Sequence, residues 1–492
     1  MSIMNKLLKT KNVIIKTKLH KIMKTIKYVL AAALLIGGTA QMSAQDKNPQ
    51  YEAISKVIID NKSNPKAAES QVKDFFKENK KNPEAVAAIG RAYLDIKDFE
   101  NAKKYADLAI KANKKAGAGY ILLGDIEANK ENAGEAANWY QTAMTLDPQN
   151  PMGYVKYARI YQKVDPAGAV EALEKLRTIR PDYPVDAEAA HFYYRAGKLG
   201  KALEYYDKCD KSKLDRSQLA EYATIAYANQ ENKKSLDIAL YGKKREPGHA
   251  AFNRLAFYNN LVLKNYDEAL KYADLLFNHS DSLKAIYSDY ENYGHAYVGK
   301  KDYKNAIKQF EKAYQMDNNK RDVLKLLSDA HMNDKNHAKA IDYYNQYMAK
   351  GDKKTVSDYE TLANIYIDLS EIETDPAAKK RDLLNADEQY VELAKAFPKN
   401  KDYATYKRAG IHHTINPDVK QGEAKPFYEE YANSVGAKAE KSKGELATLG
   451  VAYNYLAVYY IQNDNVATAK EYAQKLLEIQ PENETAKQIL AL

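Results

Sequence analysis

The sequence is poor in the residues that usually build a chemical site. It has one cysteine, Cys209, and one tryptophan, Trp139, in 492 residues. A single cysteine makes no internal disulfide and no Cys-x-x-Cys metal or redox pair. No Gly-x-x-x-x-Gly-Lys-Ser/Thr loop occurs, and no His-Glu-x-x-His, so the common phosphate cradle and zinc-helix motifs are absent. Gly197-Lys198-Leu199-Gly200-Lys201 imitates the first, but it reads as a turn in which glycine relieves backbone strain. The nine histidines are scattered. His412 and His413 are adjacent, so they diverge by about 100° on a helix and share a metal poorly. His295 and His331 are expected on different faces of neighbouring helices. No nucleophile with a positioned base is visible. Catalytic, cofactor and metal residues are therefore expected to be none.

Long apolar runs are missing too. The longest, Tyr28–Gly37, is too short to span a bilayer as a mature helix. With Lys24 and Lys27 before it and Ser43-Ala44-Gln45 after it, it reads as a signal peptide cleaved after Ala44. Residues 1–22 read as either an extended basic leader or an unused upstream start, the second being favoured. No cysteine lies near the end of the apolar core, so lipid modification there is not expected. The expected location is the periplasm or beyond, with no integral membrane segment after cleavage. Net charge is also lacking. The formal +9 comes from eight lysines in residues 1–44; the remainder carries 67 basic and 66 acidic residues. A near-neutral body gives no argument for nucleic acid or anionic lipid.

What is abundant is helix-forming sequence in a recurring frame. Tyr290, Tyr293, Gly294 and Tyr297 recur at i, i+3, i+4 and i+7, one face of a helix. After Lys300-Lys301-Asp302, Ala306, Phe310 and Ala313 recur on a second helix. Small residues mark close helix approach, and large ones fill the space between layers. Neither helix buries its face alone, so the unit implies neighbours like itself. A second unit repeats the frame with Tyr120, Leu123, Gly124, Ala136, Tyr140, Ala143 and Pro148.

This pattern resembles the tetratricopeptide repeat (TPR), a helix–turn–helix of about 34 residues. Eleven units in this register cover residues 83–481. The resemblance implies an all-α fold, a right-handed superhelical solenoid. Residues 45–82 are expected to hold a linker (45–50) and a capping helix pair. Residues 83–435 hold ten repeats. A Gly/Lys linker, 436–445, is the expected flexible point, and 446–492 hold the last repeat and a closing helix. The third repeat has a short turn, with Asp165-Pro166 opening its second helix. The ninth carries an insertion, 370–381, which either extends both helices or forms a loop. The tenth has a lengthened turn at Asn416-Pro417. Cys209 falls at a small-residue position of a second helix and reads as a structural thiol. Tyrosine, 41 residues against 10 phenylalanines, reads as inter-helix packing.

In the TPR family the first helices line a concave groove that holds a peptide or protein. Carried over by position, the fifth- and ninth-position residues expected to face the groove include Arg91, Asp125, Arg159, His191, Arg254, Tyr258, Glu291, His295, Lys325, Asp329, Asn364 and Lys407. Other fifth positions are Ala87, Ile121, Val155 and Ala187. The Lys/Asn set of the carboxylate clamp is not supplied by any three consecutive repeats. The resemblance implies a non-catalytic protein–protein interaction scaffold of the cell envelope, free or docked on an envelope complex. The alternative is a glycan or peptidoglycan binder, or an accessory of an outer-membrane carbohydrate complex, using tyrosines to stack on sugar rings.

Overall fold

The computed structural model describes residues 48–351 and 353–492; the signal-peptide expectation lies outside them. Two compact units divide near residue 284. The first opens with α1 (Pro49–Asp60) and α2 (Pro65–Asn79). Six helix pairs follow: α3 (Pro83–Asp95) with α4 (Phe99–Ala112), α5 (Gly117–Asn129) with α6 (Ala133–Leu146), α7 (Pro151–Tyr161) with α8 (Pro166–Ile179), α9 (Val185–Arg195) with α10 (Leu199–Tyr206), α11 (Arg216–Ala228) with α12 (Asn232–Arg245), and α13 (Ala250–Val262) with α14 (Tyr266–His279). The second unit has five: α15 (Tyr287–Gly299) with α16 (Tyr303–Met316), α17 (Asp322–Asn333) with α18 (His337–Ala349), α19 (Val356–Ile372) with α20 (Pro376–Ala396), α21 (Lys401–Ile415) with α22 (Lys425–Gly436), and α23 (Lys443–Gln462) with α24 (Val466–Ile479). The closing helix is α25 (Glu484–Ala491). The expected eleven pairs and both caps are present. Within each unit every helix packs on its partner, and the second helix of each pair packs on the first helix of the next. Among the described residues the only β contact is an isolated bridge, His249 to Asp281. No described helix is long and apolar enough to cross a membrane.

The helix starts are written in the sequence. Six follow an Asn-Pro or Asp-Pro step: Asn48, Asn64, Asn82, Asn150, Asp165 and Asp375 each precede a proline in the first turn. Proline lacks only an N–H that would be unpaired there, and in all but Asn64 the Asn or Asp oxygen caps others. Asn82, for example, accepts from the amides of Glu84 and Ala85. The turn inside most repeats has one residue in the left-handed region: Lys97, Glu131, Gly197, Gln230, Lys264, Lys301, Lys335 and Asp464, with φ from 61° to 71°. The next residue is usually Asp or Asn and caps the second helix; Asp302 accepts from the amide of Asn305. Only one of the eight is glycine. Lys301→Gly should remove the Cβ penalty of this conformation and stabilise the seventh repeat by about 1 kcal/mol or less. A urea midpoint that is unchanged or lower would count against it.

The insertion at 370–381 extends both helices. Helix α19 runs 17 residues and α20 runs 21, and only residues 373–375 join them. Three further expectations need adjustment. Helix α1 already begins at Pro49, inside the expected linker. The expected Gly/Lys linker narrows to residues 437–442, where Lys438 Nζ lies 2.7 Å from Asp402 and 2.9 Å from Glu445. Helix α10 ends at Tyr206, so Cys209 lies past the helix rather than on it. Its thiol is half-buried, lies 3.5 Å from the Tyr205 carbonyl, and is pushed up to about 11 by burial. It therefore stays a thiol at neutral pH and is a poor nucleophile.

Candidate binding face

Packing fixes the spacing of the first helices. Gly294 lies against Phe310: a Cβ there would stand 2.4 Å from the ring. Gly124 meets Tyr140 at the same distance. These contacts let each first helix approach its partner closely and set which residues face outward.

Along the first unit, polar contacts then join successive first helices in a ladder. Lys156 Nζ donates to Asp125 at 2.8 Å. Arg159 lies 3.8 Å from Glu188. His191 Nδ1 lies 2.8 Å from Glu221. In each rung a ninth-position residue reaches the sixth position of the next repeat. The sixth-position partners Lys156, Glu188 and Glu221 were missed by the positional rule. Opposite polarity at a separation of about 30 residues would have revealed them.

The rungs sort the expected groove residues. Asp125 is 8% exposed and also accepts from Tyr140 at 2.8 Å, so it is tied into the helix layers. Arg91 is half-buried and Arg159 is exposed. The His191 side chain is 42% exposed. Arg254 and Tyr258 are buried: Arg254 donates to the Lys284 carbonyl at 3.0 Å, and Tyr258 packs on Tyr227 and Phe257. Ala87, Ile121, Val155 and Ala187 are also buried.

In the second unit Glu291 accepts from Tyr287 at 3.2 Å, and His295 meets the Phe310 ring edge-on. Lys325 lies 3.7 Å from Asp358 and over the rings of Tyr344 and Tyr347. Lys407 covers the Tyr403 ring, and Asn364 is exposed. Asp95 and Asp329 are open to solvent, yet burial pushes both carboxyls up. His331 is 4% exposed and stacks on Tyr343, away from any solvent face, as expected.

The excess of tyrosine over phenylalanine has a polar cause that packing alone does not supply. Tyrosine hydroxyls donate to carboxylates throughout: Tyr140 to Asp125, Tyr206 to Glu221, Tyr222 to Asp207, Tyr343 to Glu311 and Tyr347 to Asp358. Tyr403 to Glu360 and Tyr460 to Glu429 add two more. Each ring fills an inter-helix gap while its hydroxyl satisfies an acid at the rim. Three of these acids lie fifteen residues from their tyrosine, a spacing legible in sequence.

Among the described residues no group of three His, Cys, Asp or Glu side chains is placed to hold a metal. Family models for the tetratricopeptide repeat match residues 87–151, 297–364 and 451–483. The chain carries tetratricopeptide repeats. Its TPR pairs are similar to those of several solved structures. The C-terminal part of a TPR protein from Cytophaga hutchinsonii is 23% identical, over 55% of this chain and 99% of that one, with a TM-score of 0.42. A TPR protein from Parabacteroides merdae is 17% identical, over 50% and 98%, with a TM-score of 0.32. PilF of Pseudomonas aeruginosa is 19% identical, over 40% and 93%, with a TM-score of 0.32. No curated protein matches the chain. The TPR repeats support a scaffold for protein–protein interaction.

Proposed function

We propose that this chain is an exported scaffold that holds a protein or peptide of the cell envelope on the face made by its first helices. It works by binding rather than by catalysis. One observation carries the reading: the rungs hold ninth-position side chains of successive first helices on one face, and Arg91, Arg159 and His191 remain accessible there. A partner lying across these helices gains many modest contacts instead of one deep pocket. Export rests on the basic, apolar and small-residue succession of residues 23–44. The glycan alternative requires open ring faces. Among the described tyrosines, Tyr403 alone is exposed, at 37%, and it is engaged with Glu360.

In-cell crosslinking of the tagged full chain, with capture and peptide mapping, tests the reading. Crosslinks at first-helix residues to one recurring envelope protein support it. Crosslinks confined to second helices, or carbohydrate recovered instead of protein, overturn it. Arg91→Glu with Arg159→Glu should weaken binding of the captured partner by roughly tenfold or more, since like charges across an interface cost several kcal/mol. Helicity should stay unchanged. Equal affinity would remove this half of the face from the interface.

A further inference from the structure

Of the three rungs joining first helices in the first unit, only one holds a side chain that ordinarily titrates near neutral pH. Asp125–Lys156 and Arg159–Glu188 contain no imidazole. His191–Glu221 does, and imidazole titrates in that range. We propose that the His191–Glu221 contact is a proton-operated joint that tightens the junction between the fourth and fifth repeats as pH falls.

The geometry suits that role. His191 projects from α9 and Glu221 from α11, and Nδ1 lies 2.8 Å from Oε2. The other carboxylate oxygen accepts from Tyr206 of α10 at 2.8 Å. Tyr206 is wholly buried, so the carboxylate is held facing the imidazole. The Glu221 side chain is 13% exposed, while the ring is 42% exposed and exchanges its proton with water. Glu188 lies one turn earlier on α9 and Arg195 one turn later. Arg159 of α7 leans on Glu188, and Arg177 of α8 is engaged by Asp186 and Glu174.

Neutral His191, as the tautomer with a proton on Nδ1, already gives the Glu221 carboxylate a hydrogen bond. Protonation adds a full positive charge and turns that contact into an ion pair. Burial opposes the proton, but the Glu221 bond and charge, aided by Glu188, outweigh it, with Arg195 against them; the ring is held above its usual value of 6.5. A group raised on folding stabilises fully below the unfolded value, and that contribution fades as pH rises through the folded one. His331 responds in the opposite sense. Burial, then Lys339, pushes it down, and neither ring nitrogen has a hydrogen-bond partner. The eighth repeat should lose stability as pH falls through about 6.5.

Hydrogen exchange of the mature chain at pH 6 and pH 8, corrected for intrinsic rates, tests the joint. Protection over residues 185–228 should rise several-fold from pH 8 to pH 6, while protection over 322–349 should not rise. His191→Gln should abolish the rise and keep the fold. A rise of equal size in that variant overturns the proposal. Histidine-ring NMR gives a second reading: the His191 signal, assigned by its loss in His191→Gln, should titrate above 6.5, and Glu221→Gln should bring the midpoint down. A wild-type midpoint at or below 6.5 also overturns it.

Discussion

Replacing Phe310 by alanine is expected to destabilise the seventh repeat by about 3–5 kcal/mol. The ring is 1% exposed and lies between α15 and α16, against Gly294 and the edge of His295. Truncation leaves a cavity whose walls are two helices with little freedom to collapse. In a stack where each pair touches mainly its neighbours, the loss should be local first. Amides of α15 and α16 should exchange faster before those of α23 and α24 do.

The same contact predicts a reversal of sign. Gly294→Ala alone places a Cβ 2.4 Å from Phe310 Cε1 and 2.5 Å from Cδ1, and the buried ring has to move. Such overpacking costs about 1–3 kcal/mol. With Phe310→Ala already present, the Cβ enters empty space, and alanine is the better helix former by about 1 kcal/mol. Gly294→Ala should therefore destabilise the wild type and stabilise the variant. Two additive losses in a double-mutant cycle would show that the glycine answers to something other than the ring.

Phe310 and Gly294 also show why the fold was legible in sequence. Close approach requires a small residue opposite a large one, and this recurs at fixed spacing; Gly124 with Tyr140 is the same device. The insertion was harder. Its sequence, SEIETDPAAKKR, suits a solvated loop and a helix end alike. Asp375-Pro376 is the signal that went unused, since the same Asp/Asn-Pro step opens five other helices.

The candidate face was legible only in part. Family positions found the first-helix side and the three ninth-position rung members Asp125, Arg159 and His191, but not their partners. A rung depends on how far one first helix is shifted along the next, and a single repeat does not encode that shift. Arg254 and Tyr258 occupy groove positions in the frame yet are buried, since Arg254 turns to a backbone carbonyl thirty residues on. Tyrosine was read by its ring, and the hydroxyl's carboxylate partner needed the fold.

Asp125 separates these two kinds of residue. By position it belongs to the groove; by structure it holds the second and third repeats together. Asp125→Ala is expected to cost about 2 kcal/mol, mostly because the Tyr140 hydroxyl, on a side chain 2% exposed, loses its acceptor. Lys156 is 34% exposed and recovers water, so its share is small. Tyr140→Phe should cost about 1 kcal/mol, because Asp125 keeps Lys156. Lys156→Ala should cost about 0.5 kcal/mol. Urea unfolding with exchange over residues 117–161 gives the order. If Lys156→Ala proves the most damaging, the ion pair and not the tyrosine holds this rung. If Asp125→Ala leaves stability intact yet weakens partner binding, Asp125 is a contact residue after all. Loss of both would mean that the partner depends on the spacing the rung sets, since a carboxylate with both its neighbours inside the protein has little left to offer a ligand.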